Sequence, residues 1–217
     1  MATQFAFGKI VTDGLVLAWD VTDRNSYPGS GTTLYDVSGN GNHGILYNGV
    51  SYDSSNGGVL VFDGVDDYVE SLTPNLTSTN YTVIGAARYS GATRGRMINA
   101  TTNNLLLGHW GNSVANYYAA GWVTSAGAGG SDTNWRIYAG NGNISGDSYN
   151  FYVNNTLNAG SSTGGSQGPY GITIGKYGPT TGEFSTGHFS FVLVYNRILT
   201  LEEMTQIYEA KKSRFGL

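Results

Sequence analysis

The chain has 217 residues, 40% of them apolar, enough for one sizeable core in a single domain. Charged residues make up only 12%, about half the usual share, so the polar surface falls to Asn, Ser, Thr and Tyr, and 33 glycines call for many turns. A formal charge of −4 argues against nucleic-acid binding, the lack of cysteine excludes disulfides and thiolate metal sites, and no apolar run is long enough for membrane insertion.

Residues 1–13 read as an N-terminal arm carrying Phe5, Phe7 and Ile10. Apolar residues on an arm are costly when exposed, so it either adds a strand to its own sheet or docks on a neighbour. The opening residues lack the charged-then-apolar pattern of a signal peptide, and the expectation is synthesis in a cytosol.

The domain proper is expected over 14–217. Gly14–Asp20 is a nearly continuous apolar run, the pattern of a strand buried on both faces. Asp36–Gly44 then concentrates Asn and Gly, the residues that best tolerate positive φ. Val59–Phe62, broken at Asp63 and Gly64 and followed by Tyr68 and Val69, predicts strand, tight turn, strand.

Further strands are predicted at Tyr81–Tyr89, Met97–Ala100, Leu105–Trp110, Tyr117–Thr124, Trp135–Ala139, Ser148–Val153, Ile172–Lys176 and His188–Tyr195. Short strands with Gly-rich turns and no alternating helices argue for a β-sandwich. One helix is signalled, over about 200–213: Thr200 and Glu203 have capping-box spacing, and Met204, Ile207 and Tyr208 share one face. That stripe reads as a plug on the sandwich.

Three segments resemble the laminin-G-like branch of the concanavalin A-like jelly rolls: Gly14–Asp20, Asp36–Val69, and Phe189–Glu203 with its Tyr195, Asn196, Arg197 turn. Phe151–Thr156 resembles that family's central hairpin. The resemblance implies an all-β fold, a concanavalin A-like (laminin-G-like) jelly-roll β-sandwich of two antiparallel sheets with one short C-terminal helix. More narrowly, Asn25–Asn42 and Ala210–Leu217 resemble a version common in structural proteins of tailed bacteriophages, marine ones especially. This implies a non-enzymatic virion protein, made in the host cytoplasm and located on the particle. Its expected role is capsid decoration or accessory head protein, bound to the major capsid protein or another virion protein, with homo-oligomers within the expectation. The alternative is a glycan-binding adhesin module of a tail tip or fibre that recognises a host surface glycan.

Candidate contact residues follow from these readings. Phe5, Phe7 and Ile10 are the candidate capsid anchor. Trp110, Tyr117, Tyr118 and Trp135 are candidates for stacking on sugar faces, although a sandwich also needs large core residues, and Trp122 between Gly121 and Val123 reads as core. Asp63, Asp66 and Asp67 are the metal candidates: laminin-G-like relatives often hold one Ca²⁺, a hard cation that favours carboxylates and carbonyls, and otherwise no cofactor is implied. The spacing is not that of an EF-hand loop, and Asp63 also has an ordinary role before Gly64 in a turn. Jelly-roll hydrolases set two carboxylates at alternate positions of one strand. No two acidic residues here stand at i, i+2, and no nucleophile elbow occurs around the scattered His43, His109 and His188.

Overall fold

The computed structural model describes residues 10–72, 76, 79–119, 121–127, 129–161, 168–180 and 182–217. In chain order the strands are β1 (Leu15–Asp20), β2 (Thr33–Leu34), β3 (Gly44–Tyr47), β4 (Ser51–Asp53), β5 (Val59–Asp63), β6 (Tyr68–Ser71), β7 (Asn80–Arg94) and β8 (Ile98–Asn99). They continue with β9 (Leu105–Trp110), β10 (Ser113–Ala119), β11 (Arg136–Asn143), β12 (Ser148–Val153), β13 (Thr156–Ser161), β14 (Thr173–Ile174) and β15 (Ser185–Tyr195), and α1 (Leu201–Lys211) follows. An eight-stranded sheet runs β13-β12-β11-β7-β15-β5-β4 with β1 also on β15, and a seven-stranded sheet runs β10-β9-β8-β14-β6-β3-β2. All pairings are antiparallel, and the architecture is a jelly-roll β-sandwich with one short C-terminal helix.

Strand register explains how the two faces of the smaller sheet differ. Leu46, Val69, Ile174, Ile98, Leu107 and Tyr117 are paired neighbour to neighbour across it, and all six are buried between the sheets. One residue along, alternation turns Ile45, Glu70, Thr173, Asn99, Leu106 and Tyr118 to the sheet's other face, where Thr173, Asn99 and Leu106 are nonetheless buried under other parts of the chain. The outer face of the larger sheet carries a second apolar cluster, including Ala18, Ile84, Phe191 and Leu193, which Met204 and Ile207 of α1 cover.

The helix is bolted at both ends. Thr200 and Glu203 form the capping box, and Arg197 donates to both carboxylate oxygens of Glu203. At the other end Lys211 Nζ lies 2.6 Å and Arg214 Nη1 3.0 Å from the carboxylate of Asp20 on β1. Burial opposes ionisation of Asp20, but the two cations and their hydrogen bonds hold its carboxyl well below the usual range.

The turn-rich stretch after β2 is organised by one carboxylate. Asp36 accepts from the backbone N–H groups of Ala18, Ser38 and Asn42 and from the Ser38 hydroxyl. Trp19 Nε1 donates to the Asn42 carbonyl, which fixes this loop to β1.

Val59–Val69 does not form the hairpin that its turn chemistry suggests. β5 pairs with β4 and β15 in the larger sheet, whereas β6 pairs with β3 and β14 in the smaller one. Residues 63–67 therefore cross from one sheet to the other. Asp63 accepts from Val65 N–H, Asp67 accepts from Asp63 N–H, and Gly64 takes φ +81° where a Cβ would strike Thr186. These local bonds close a corner as readily as a hairpin.

The β3–β4 connection makes the same crossing beside it, and Asn48 Nδ2 donates to the Asp66 carbonyl between the two corners. At the N-terminus, Ile10 and Val11 pack against the cluster under the helix, and Tyr195 Oη donates to the Val11 carbonyl. Phe5 and Phe7 lie outside the described residues.

Candidate functional site

The aromatic candidates separate onto three surfaces. Trp110 ends β9 and Tyr118 lies on β10, both half-buried. After β10 the chain doubles back along its edge: Val123 N–H donates to the Tyr117 carbonyl, and Tyr117 N–H donates to Thr124 Oγ1. This places Trp122 opposite Tyr118, half-buried and not in the core. Its ring centroid is 5.1 Å from that of Trp110 and 5.2 Å from that of Tyr118, at interplanar angles of 59° and 83°. Three segments thus build one aromatic cluster at the β9–β10 end of the smaller sheet.

Two of the four sugar-stacking candidates are corrected. Tyr117 is 1% exposed, hydrogen-bonded to Tyr81 Oη at 2.8 Å and stacked on Phe151 between the sheets. Trp135 is 8% exposed on the larger sheet, packed 4.7 Å from Phe215 with Arg88 over its ring. Neither ring has a face free for a sugar. Trp122, read as core, takes their place. The predicted strand Tyr117–Thr124 does not run through: β10 ends at Ala119 and the chain reverses, which brings Trp122 back opposite Tyr118.

Polar groups adjoin Trp110. Asn112, two residues on, accepts from Ser131 Oγ at 3.1 Å, and Arg94 donates to both Asn112 and Ser131. Arg88 and Arg96 are elsewhere: Arg88 contacts His188, while Arg96 pairs with Glu183, bonds Asn104 and covers the Tyr177 ring. The arginines near in sequence do not form one basic patch.

Asp63, Asp66 and Asp67 do come together. Each offers a carboxylate oxygen within 4.8 Å of the others, with Asp63 and Asp66 exposed and Asp67 buried. Burial raises the Asp67 carboxyl above its ordinary range, and the Asp63 and Asp66 charges act in the same direction, against the Asp63 N–H bond. Asp67 Oδ2 accepts that N–H, and Oδ1 is buried without a hydrogen-bond partner. An all-oxygen set with one orphaned buried acceptor suits a hard cation.

The histidines occupy separate environments. His43 Nδ1 accepts from Asp36 N–H. His188 is half-buried beside Arg88, and burial followed by that charge lowers its pKa. His109 is fully buried between the rings of Tyr89 and Tyr138, and both its nitrogens lack a hydrogen-bond partner. Burial lowers its pKa to about 3, so it stays neutral at physiological pH.

No protein-family model matches the chain, and no curated protein matches it in sequence. Solved structures do share its fold. Trypanosoma rangeli sialidase superposes with a TM-score of 0.67 at 14% identity, over 93% of this chain and 33% of that one. The receptor binding domain of botulinum neurotoxin C/D mosaic serotype gives 0.66 at 16%, over 93% and 52%. The binding domain of botulinum neurotoxin serotype D gives 0.63 at 14%, over 92% and 51%. The chain spans about a third to a half of these proteins' lengths, and at such identities the likeness is one of fold.

Proposed function

We propose that this chain is a non-enzymatic adhesion module that binds a carbohydrate through Trp110, Tyr118 and Trp122. The observation that carries this reading is the half-exposed cluster of the three rings on the sheet face away from the helix. Rings held at fixed angles offer apolar faces to sugar C–H groups, and the neighbouring Asn112, Ser131 and Arg94 offer hydrogen bonds to hydroxyls. A receptor binding domain among the similar structures supports recognition as a use of this fold. The charged groups favour a structural rather than a catalytic reading, since Asp20, Glu183 and Glu203 each sit in an ion pair. The test is a mixed oligosaccharide array probed with the full chain and with Trp110→Ala. Saturable binding that the substitution abolishes is expected, and an array without binders would overturn the reading.

A second reading sets the module on a phage particle as a capsid-decorating or accessory head protein. Its support is the resemblance of Asn25–Asn42 and Ala210–Leu217 to tailed-phage structural proteins. Both segments are scaffold here, through Asp36 in one case and the Lys211 and Arg214 contacts to Asp20 in the other. They therefore speak to kinship rather than to the contact made. Of the expected anchor, Ile10 rests on its own domain, which leaves Phe5 and Phe7 to reach a capsid protein. Deleting residues 1–9 is expected to reduce capsid occupancy, and unchanged occupancy would remove the arm from the reading.

A further inference from the structure

The polar group beside the aromatic cluster carries a charge that the chain itself does not meet. Arg94 ends β7, and its guanidinium is held through Nε and Nη1: Nε donates to the Gly91 carbonyl at 2.7 Å, and Nη1 donates to Asn112 Oδ1 at 3.4 Å and to Ser131 Oγ. The Tyr89 ring lies against it, 5.6 Å from Cζ to the ring centroid. No carboxylate pairs with Arg94 among the described residues. Asp132, next to Ser131, is taken by Arg136 through two bonds of 2.6 Å, and Glu183 is taken by Arg96.

The hydrogen bonds within this group decide what it offers a ligand. Arginine can only donate, so the Asn112 amide turns its oxygen toward Arg94 and its Nδ2 away. The Ser131 hydroxyl accepts from Arg94 and spends its own proton on Asn112 Oδ1, at 3.1 Å. Oδ1 therefore already accepts twice. Arg94 Nη2 and Asn112 Nδ2 have no partner among the described residues, and both are donors. Asn112 and Ser131 are exposed, so a ligand has access. The Asn112 backbone N–H also donates to the Arg94 carbonyl at 2.7 Å, which ties the arginine to the β9–β10 turn. Trp110 enters that same turn, its Cα within about 7.6 Å of that of Asn112, two peptide units away.

We propose that the saccharide bound at Trp110, Tyr118 and Trp122 is an acidic one, whose carboxylate or sulfate oxygens accept from Arg94 Nη2 and Asn112 Nδ2. The proposal rests on the carbohydrate reading of the three rings and narrows it. A sugar hydroxyl brings a proton of its own to a group that already has donors to spare, whereas an anionic oxygen group only accepts. It also meets the unpaired positive charge, and hydrogen bonds between ions are roughly twice as strong as neutral ones. Because Nε and Nη1 are already held, little side-chain freedom remains to be lost when Nη2 takes a ligand. The chain's net charge of −4 does not draw anions from a distance. Beyond a Debye length of about 8 Å that field is screened at physiological salt, so the preference is a contact effect of this group.

The test titrates the full chain with matched pairs: oligouronates and sialylated oligosaccharides beside their carboxyl-reduced forms, and sulfated oligosaccharides beside their desulfated forms. In at least one pair the acidic member is expected to bind at least about tenfold more tightly, the pair showing whether carboxylate or sulfate is read. That ratio should shrink as NaCl rises from about 50 to about 500 mM. Arg94→Gln removes the charge, and Asn112→Asp gives Arg94 a carboxylate from within the chain. The second variant keeps an exposed residue type that tolerates the φ of +69° found there. Each should bring the acidic-to-neutral ratio within about threefold of one. Equal binding within every pair, lost in Trp110→Ala, would overturn this proposal and leave the carbohydrate reading standing. A wild-type ratio in both folded variants would overturn it as well. Binding to no member of any pair, or binding that Trp110→Ala leaves untouched, would overturn the carbohydrate reading and this proposal with it.

Discussion

The two outer faces of the sandwich start from similar material and end differently. On the larger sheet, Ala18, Ile84, Phe191 and Leu193 lie under α1, and Trp135 is wedged against Phe215. On the smaller sheet, Trp110, Tyr118 and Trp122 cluster with no helix over them among the described residues and remain half-exposed. A tryptophan on the first face works for stability, whereas one on the second is free to work for recognition. What separates them is the C-terminal helix and the ion pairs that hold it.

The strongest break of this contrast is Trp135→Ala. Emptying that buried site is expected to cost about 4 kcal/mol and lower the melting temperature by roughly 10 °C, read by thermal and denaturant melts. Next comes Asp20→Asn, which leaves Lys211 and Arg214 near a neutral side chain. A cost of about 3 kcal/mol is expected, as for other broken buried ion pairs. Because the folded-state pKa of Asp20 is depressed, its stabilisation is present above the ordinary value of 3.8 and is lost as pH falls below it. The variant should therefore lose less stability than the wild type between about pH 4 and pH 2.

How much of this was legible depended on range. The capping box of Thr200 and Glu203 lies within four residues and stands as expected. The three aspartates could be grouped because one loop carries them all. The corner at Asp63 and Gly64 could not be told from a hairpin, because one edge of β5 takes β4 and the edge a hairpin would use takes Thr186–Phe189, over a hundred residues away. The faces of Trp122 and Trp135 were hidden for a similar reason. Trp122 is positioned by a chain reversal onto β10, and Trp135 by Phe215 beyond the helix, neither of which shows in neighbouring residues.

The interior shared by both faces supplies a reference. His109 is buried in neutral form, with its pKa lowered from 6.5 to about 3. Its contribution to stability is full above pH 6.5 and declines as pH falls toward 3, by up to about 1.4 kcal/mol per pH unit. His109→Phe is expected to flatten chemical-denaturation stability over that window, and to do so equally whether the helix face or the aromatic face is intact.

The smallest effect on stability is expected where the functional claim is largest. Trp110→Ala and Trp122→Ala each remove a half-buried ring and its aromatic contacts, and are expected to cost about 1–2 kcal/mol and to lower the melting temperature by roughly 3–6 °C, less than Trp135→Ala. The most direct measurement is the affinity of the folded double variant for the oligosaccharide that the array selects, beside that of the wild-type chain. A loss of at least tenfold with the fold intact is the predicted result; wild-type affinity in the absence of both rings would contradict the assignment of this face to carbohydrate recognition.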